Sequence, residues 1–207
     1  LGVPVNGDAP RPGLLQRHGD VLLRVAARSI DRGLGSHGPL PIDVQAYAPE
    51  LRASRAAFVT LKHNGRLRGC IGSTRARRPL VQDVAINARA AAFRDPRFKP
   101  LTAEENRDLA ISLSVLAPPQ PMTVATEDDL LTQLRPGVDG LILRHGAARA
   151  VFLPVPWHSF PEPRDFFHQL KNKAGLAPDA WSPEFRLARF TTEETGRGDS
   201  GEASPKL

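Results

Sequence analysis

Cysteine is almost absent from this 207-residue chain, with Cys70 its only example. A single thiol excludes an intramolecular disulfide and any paired-cysteine zinc or redox motif, and it implies no oxidising compartment. The six histidines, His18, His37, His63, His145, His158 and His168, show no H-E-x-x-H or other paired spacing, so neither a metal nor another cofactor is expected. No G-x-S-x-G elbow surrounds Ser73, and Gly33, Gly35 and Gly38 lack the G-K-[ST] ending of a phosphate loop. Apolar runs stay far below the roughly 18 residues of a membrane span. Leu1 to Pro12 lacks the apolar stretch of a signal peptide, so a cytoplasmic location is expected. Aromatics are few, and Trp157 and Trp181 are expected to pack in or at the edge of the core.

What remains is an ordinary globular composition, 41% hydrophobic and 24% charged, enough for a folded core in one domain or two small ones. The net charge is +6 and rests on arginine, with 23 Arg against 5 Lys beside 26 Ala, the bias that GC-rich coding produces. Its distribution is uneven. Between Arg66 and Lys99 stand nine basic residues and two acidic ones, a net +7, whereas the remainder of the chain nets −1. This basic face is either a solvated helix surface or a binding face for phosphate, carboxylate or RNA backbone.

Periodicity organises the chain into repeated units. Leu22, Val25, Ala26, Ser29 and Ile30 share one helical stripe that Gly33 and Gly35 end. Residues 56–63 and 66–72 are extended runs joined by Asn64-Gly65, the strongest short hairpin signal. Pro79 opens a second helical stripe running through Leu80, Val84, Ala88 and Ala92 and ending before Asp95-Pro96. Thr102 and Glu105 form a capping-box pattern, and residues 110–116 read as a strand. After the prolines at 118, 119 and 121 come a short helix at 128–134, strands at 140–143 and 150–153, a helix at 164–173 and a strand at 185–190. The order hairpin, helix, strand therefore occurs twice. It predicts an α+β fold of two subdomains, roughly 13–121 and 122–190, with mostly antiparallel sheets flanked by helices. Residues 1–12 are expected to be flexible, and 191–207 to form a disordered polar tail.

The segment Leu67-Arg68-Gly69-Cys70-Ile71-Gly72 is the most unusual one. Two glycines weaken a strand and mark a place where a ligand or another backbone comes close. Simple alternation places Arg66, Arg68 and Cys70 on one face, and a two-residue turn at Asn64-Gly65 sets Val59 opposite Cys70 and Leu61 opposite Arg68. Cations beside a thiol favour the thiolate nucleophile, while a free cysteine is otherwise a small buried hydrophobe. Both readings of Cys70 stay open. The loop Phe93-Arg94-Asp95-Pro96-Arg97-Phe98-Lys99 alternates aromatic, basic and proline residues. It reads either as a functional loop or as one anchored by its two phenylalanines and a local Asp95–Arg97 ion pair.

Together these residues resemble the AMMECR family, found in bacteria and archaea as protein A of the AmmeMemoRadiSam system. The 67–72 hexapeptide is similar to that family's signature, Arg97-Phe98-Lys99-Pro100-Leu101-Thr102 to its RFxPLT loop, Ile111 to Leu116 to its SVSVL strand, and Phe152-Leu153-Pro154 to its FLP strand. Leu170 to Leu176 matches the helix end that follows, so the resemblance spans about residues 14–190. It implies a duplicated two-subdomain α+β fold and a genomic association with a Memo-type protein and a radical S-adenosylmethionine enzyme, and it implies no settled reaction. Ser73-Thr74 departs from the pattern of a hydroxyl residue followed by an aromatic. The expected role is an accessory or substrate-binding component that holds an anionic ligand near Cys70 through Arg68, Gly69, Gly72, Asp95 and Arg97. The alternatives are an enzyme with Cys70 as nucleophile and an RNA-binding module that uses the 66–99 basic face; a docking face for an acidic partner is a third.

Overall fold

The structure, a computed structural model, describes residues 13–197. The expected flexible stretch 1–12 and the end of the expected tail, 198–207, lie outside the described residues. Five helices, α1 (Leu14–Leu34), α2 (Pro49–Arg52), α3 (Leu80–Phe93), α4 (Glu127–Gln133) and α5 (Pro163–Lys173), accompany eight strands. The strands are β1 (Ala57–His63), β2 (Arg66–Gly72), β3 (Leu109–Leu116), β4 (Gln120–Pro121), β5 (Gly140–His145), β6 (Ala148–Phe152), β7 (Arg186–Phe190) and β8 (Thr192–Arg197).

They form two four-stranded antiparallel sheets, β2-β1-β3-β8 and β4-β7-β5-β6. Reading the second sheet backwards gives β6-β5-β7-β4, so each hairpin-helix-strand unit has the same strand order and each sheet adds one further strand beside the third. The duplication expected from the sequence is present as topology.

The first core lies between the first sheet and the pair α1 and α3. Val59, Leu61, Leu113 and Val115 point into it from the strands, and Leu22, Ala26, Ile30, Val84, Ala88 and Ala92 from the helices. Alanines along both helices permit close approach, and Ser29 Oγ donates to the Ala85 carbonyl across the contact (2.7 Å). Asp83, 3% exposed, accepts from the Ala57 amide and from Asn87 Nδ2, which ties α3 to the start of β1. Burial pushes its carboxyl above the usual carboxylate range. The second core packs α4 and α5 on the second sheet, with the Trp157 and Phe166 rings stacked at 3.8 Å. A smaller cluster, including Phe58, Leu116, Ile142, Val151, Ala188 and Phe190, joins the inner faces of the two sheets.

Residues 192–197 belong to no disordered tail: they return from the second sheet to become β8, an edge strand of the first. Glu193 explains the docking. Its carboxylate accepts from the Leu15 amide (2.9 Å) at the start of α1, a helix with no side-chain cap of its own. The first subdomain therefore contains both 13–116 and 192–197, with the second set between β3 and β8.

Candidate functional site

The β1–β2 hairpin turns through Asn64 (φ 51°) and Gly65 (φ 72°), the paired positive angles a two-residue turn requires. The expected register nevertheless fails after two pairs. His63 faces Arg66 and Lys62 faces Leu67, but Leu61 then faces Gly69, which leaves Arg68 as a bulge. Every later residue changes face. Cys70 stands opposite Thr60, not Val59, and points away from α3, while Gly69 and Ile71 turn toward it. Arg66 and Arg68 thus do not share the face of Cys70.

The bulge explains the glycines. A Cβ on Gly69 would overlap the carbonyl oxygen of Ala91 in α3, and one on Gly72 would overlap the Phe58 ring. The close neighbours signalled by these glycines are a helix backbone and a phenylalanine. The bulged Arg68 is 12% exposed and pairs bidentately with Glu105, Nε at 2.7 Å and Nη2 at 2.9 Å, while Nη2 also donates to the Lys99 carbonyl. Its Nη1 is buried without a hydrogen-bond partner. Thr102 and Glu105 form the expected capping box around a single helical turn at 105–108. Bonds from Arg68, then from the Thr102 amide, hold the Glu105 carboxyl down at about 2.

As an edge strand, β2 turns alternate backbone groups outward, and the 94–99 loop covers them. Buried Asp95 accepts from the Cys70 amide at 2.8 Å and from Arg97 through its amide, Nε and Nη2. These bonds, the Arg97 guanidinium first, hold Asp95 well below the usual carboxylate range. Arg97 in turn reaches the Cys70 carbonyl (3.4 Å), and its side chain is 46% exposed. The Arg68 and Arg97 guanidiniums both lie against the Phe98 ring, at 5.8 and 5.5 Å.

The Cys70 thiol, half-buried, sits in a row with Thr60 and Ser112 on the face of the first sheet not covered by helices. Thr60 Oγ1 donates to Sγ at 3.4 Å, the one side-chain hydrogen bond of the thiol among the described residues. The structure therefore brings Arg68, Cys70, Asp95 and Arg97 to one strand edge, while Gly69 lies beneath it against α3. Thr60, Phe98 and Glu105 are the members that sequence reasoning missed. The capping box made Glu105 visible, but nothing local signals that its carboxylate also holds Arg68 from 37 residues away.

The 66–99 basic window does not form one face. Arg68, Arg78 and Arg97 pair with Glu105, Asp83 and Asp95, and Arg89 lies over Phe93 on α3. Arg75 and Arg77 instead lie in the loop that meets the second sheet through the Thr74–Arg149 hydrogen bond, and both act electrostatically on Arg149. Among the described residues no cluster of three or more potential metal ligands occurs, and no helix is long and apolar enough to cross a membrane.

Fold and site together define a class: a duplicated two-sheet α+β protein whose glycine-containing edge strand carries one cysteine and is locked by a loop carboxylate. The AMMECR1 family model matches residues 23–195, and the chain belongs to that family. A protein of Methanothermobacter thermautotrophicus is 38% identical over 187 residues, covering 87% of this chain and 94% of the relative. One from Thermococcus gammatolerans is 35% identical over 182 residues, covering 84% and 88%. The crystal structure of the uncharacterized protein PH0010 from Pyrococcus horikoshii superposes with a TM-score of 0.73 at 34% identity, covering 86% of this chain and 90% of the other.

Proposed function

We propose that this chain is a binding component of a modification system, acting beside a Memo-type protein and a radical S-adenosylmethionine enzyme, and that it holds an anionic ligand at the β2 edge next to Cys70. The observation that supports this reading is a cation held open at a rigid edge. Asp95 orients the Arg97 guanidinium while nearly half its side chain stays in solvent, and Arg68 adds positive charge against the same Phe98 ring. A carboxylate or phosphate oxygen pairs with such a cation through charge-assisted hydrogen bonds.

The thiol's surroundings favour binding over nucleophilic catalysis. A catalytic thiol is activated by a base or a cation at the sulfur. The side chain hydrogen-bonded to Cys70 Sγ is the Thr60 hydroxyl, which is no base, and the cation acting on the thiol, Arg97, is already engaged by Asp95. Cys70 then serves as a small, polarisable part of the ligand face.

The test uses the thiol as a reporter. Alkylation of Cys70 by iodoacetamide is followed by mass spectrometry with and without inorganic phosphate or citrate at matched ionic strength. Protection by either anion that disappears in Arg97→Gln supports the reading. Alkylation indifferent to both anions overturns it.

A further inference from the structure

A second basic site lies away from the Cys70 edge, on the inner face of the second sheet. Register places Arg149, Arg144 and Arg186 side by side on adjacent strands: Arg144 faces Arg149 across β5–β6 and Arg186 across β5–β7. They continue the rows of Val151, Ile142 and Ala188, the residues that meet the first sheet, so the arginine row begins where the apolar junction ends. The loop after β2 closes one side. Arg149 Nη2 donates to Thr74 Oγ1 at 3.1 Å, and Arg75 and Arg77 are near enough, with Arg144, to depress the Arg149 guanidinium, although burial is the larger cause.

Five arginines from three strands and one loop thus converge. No carboxylate among the described residues lies within ion-pair distance of any of them. By contrast, Arg68, Arg97 and Arg135 each sit against a carboxylate. Like charges directly opposite one another in a sheet are destabilising, and a row of three is an arrangement that folding alone disfavours. Arg149 adds a buried Nε with no partner. The remaining four side chains fall on exposed positions.

We propose that Arg75, Arg77, Arg144, Arg149 and Arg186 form a binding site for the phosphate backbone of single-stranded RNA. Neighbouring strands are about 4.8 Å apart, so the row offers positive charge at regular intervals across about 10 Å. That shape suits a ligand carrying several successive anionic groups better than one isolated anion. Guanidinium pairs with phosphate oxygens through two parallel hydrogen bonds and also stacks on flat rings such as bases, which carboxylate chains lack. The site is independent of the reading of Cys70 and draws two of its five members from the 66–99 window.

The experiment measures binding of a fluorescent 12-nucleotide oligouridylate by polarisation between 50 and 200 mM KCl. With up to five phosphates neutralised, the logarithmic salt slope approaches about −3.5, roughly a hundredfold loss of affinity over that range. The exposed triple variant Arg75→Gln, Arg144→Gln, Arg186→Gln is expected to bind at least tenfold more weakly at 50 mM and to flatten the slope by about 2. A matched control, Arg24→Gln, Arg28→Gln, Arg107→Gln, removes the same charge from other exposed positions and is expected to change affinity less than about threefold. A melting temperature no lower than that of the unsubstituted chain in either variant shows that the fold is intact. Equal losses in the two variants, or no binding at 50 mM by the unsubstituted chain, overturn the proposal. So does poly-glutamate bound as tightly as the RNA with the same dependence on the row, which would assign the surface to an acidic protein partner.

Discussion

Replacing Gly69 by alanine tests the structural explanation of the hexapeptide where it makes its sharpest demand. In an open position, Gly→Ala stabilises a fold by about 0.4–1 kcal/mol, because alanine restricts the unfolded chain. At Gly69 the new methyl overlaps the Ala91 carbonyl oxygen and lies 3.0 Å from the carbonyl carbon, both backbone atoms inside α3. A helix backbone packed between α1 and the sheet cannot yield as a flexible side chain does. Overpacking of this kind costs about 1–3 kcal/mol. For a domain of this size about 2 kcal/mol lowers Tm by roughly 4–8 °C. The comparison is Gly38→Ala, where nothing lies within 4 Å, and where a neutral or slightly raised Tm is expected. Thermal melts of the two variants by circular dichroism decide the matter. A Gly69→Ala protein as stable as Gly38→Ala would show that α3 does not press on β2, and would return that glycine to the list of ligand contacts.

Other outcomes follow from the same geometry. Glu105→Ala leaves Arg68 buried without its carboxylate and should cost about 3 kcal/mol in chemical denaturation, far more than an exposed ion pair. Because the folded values of Glu105 and Asp95 lie below their unfolded ones, the stability they contribute is complete above about pH 4.5. It is lost as pH falls toward about 2 through the folded value of Glu105, so Tm should drop over that window and drop less in Glu105→Gln. Lys171, fully buried, donates to Glu127 at 2.8 Å and to the Ala180 carbonyl, so Lys171→Ala should cost about 3 kcal/mol or more in the same assay. Arg144→Gln removes repulsion from both neighbours in its row and should raise Tm by about 1–2 °C, the reverse of what most substitutions do.

Local signals carried the fold a long way. The Asn64-Gly65 turn, the helical stripes, the Thr102–Glu105 box and the repeated order of elements all read correctly, because each depends on neighbours in sequence. The Asp95–Arg97 ion pair, one of the two readings of the 93–99 loop, is present. Three features escaped for a common reason. The bulge at Arg68 is stabilised by Glu105, 37 residues away, and it reversed the face assigned to Cys70. The polar run 192–197 has no apolar face of its own, and pairing with β3 together with Glu193 at α1 makes it a strand. The arginine row is assembled from β5, β6, β7 and the loop after β2, so a charge count along the chain saw only Arg75 and Arg77. The fold disperses the +7 window: Arg68, Arg78 and Arg97 pair with acids, and Arg75 and Arg77 lie beside Arg149 of the other sheet.

Whether the β2 edge binds without chemistry at Cys70 is decided by the rate of S-adenosylmethionine consumption when this chain is combined with its proposed Memo-type and radical enzyme partners, comparing Cys70 with Cys70→Ser. The binding account predicts a rate within about tenfold of the unsubstituted protein, since serine preserves the size and polarity of the ligand face. A fall beyond about a thousandfold with the fold intact is what removal of a nucleophile produces, and would contradict it.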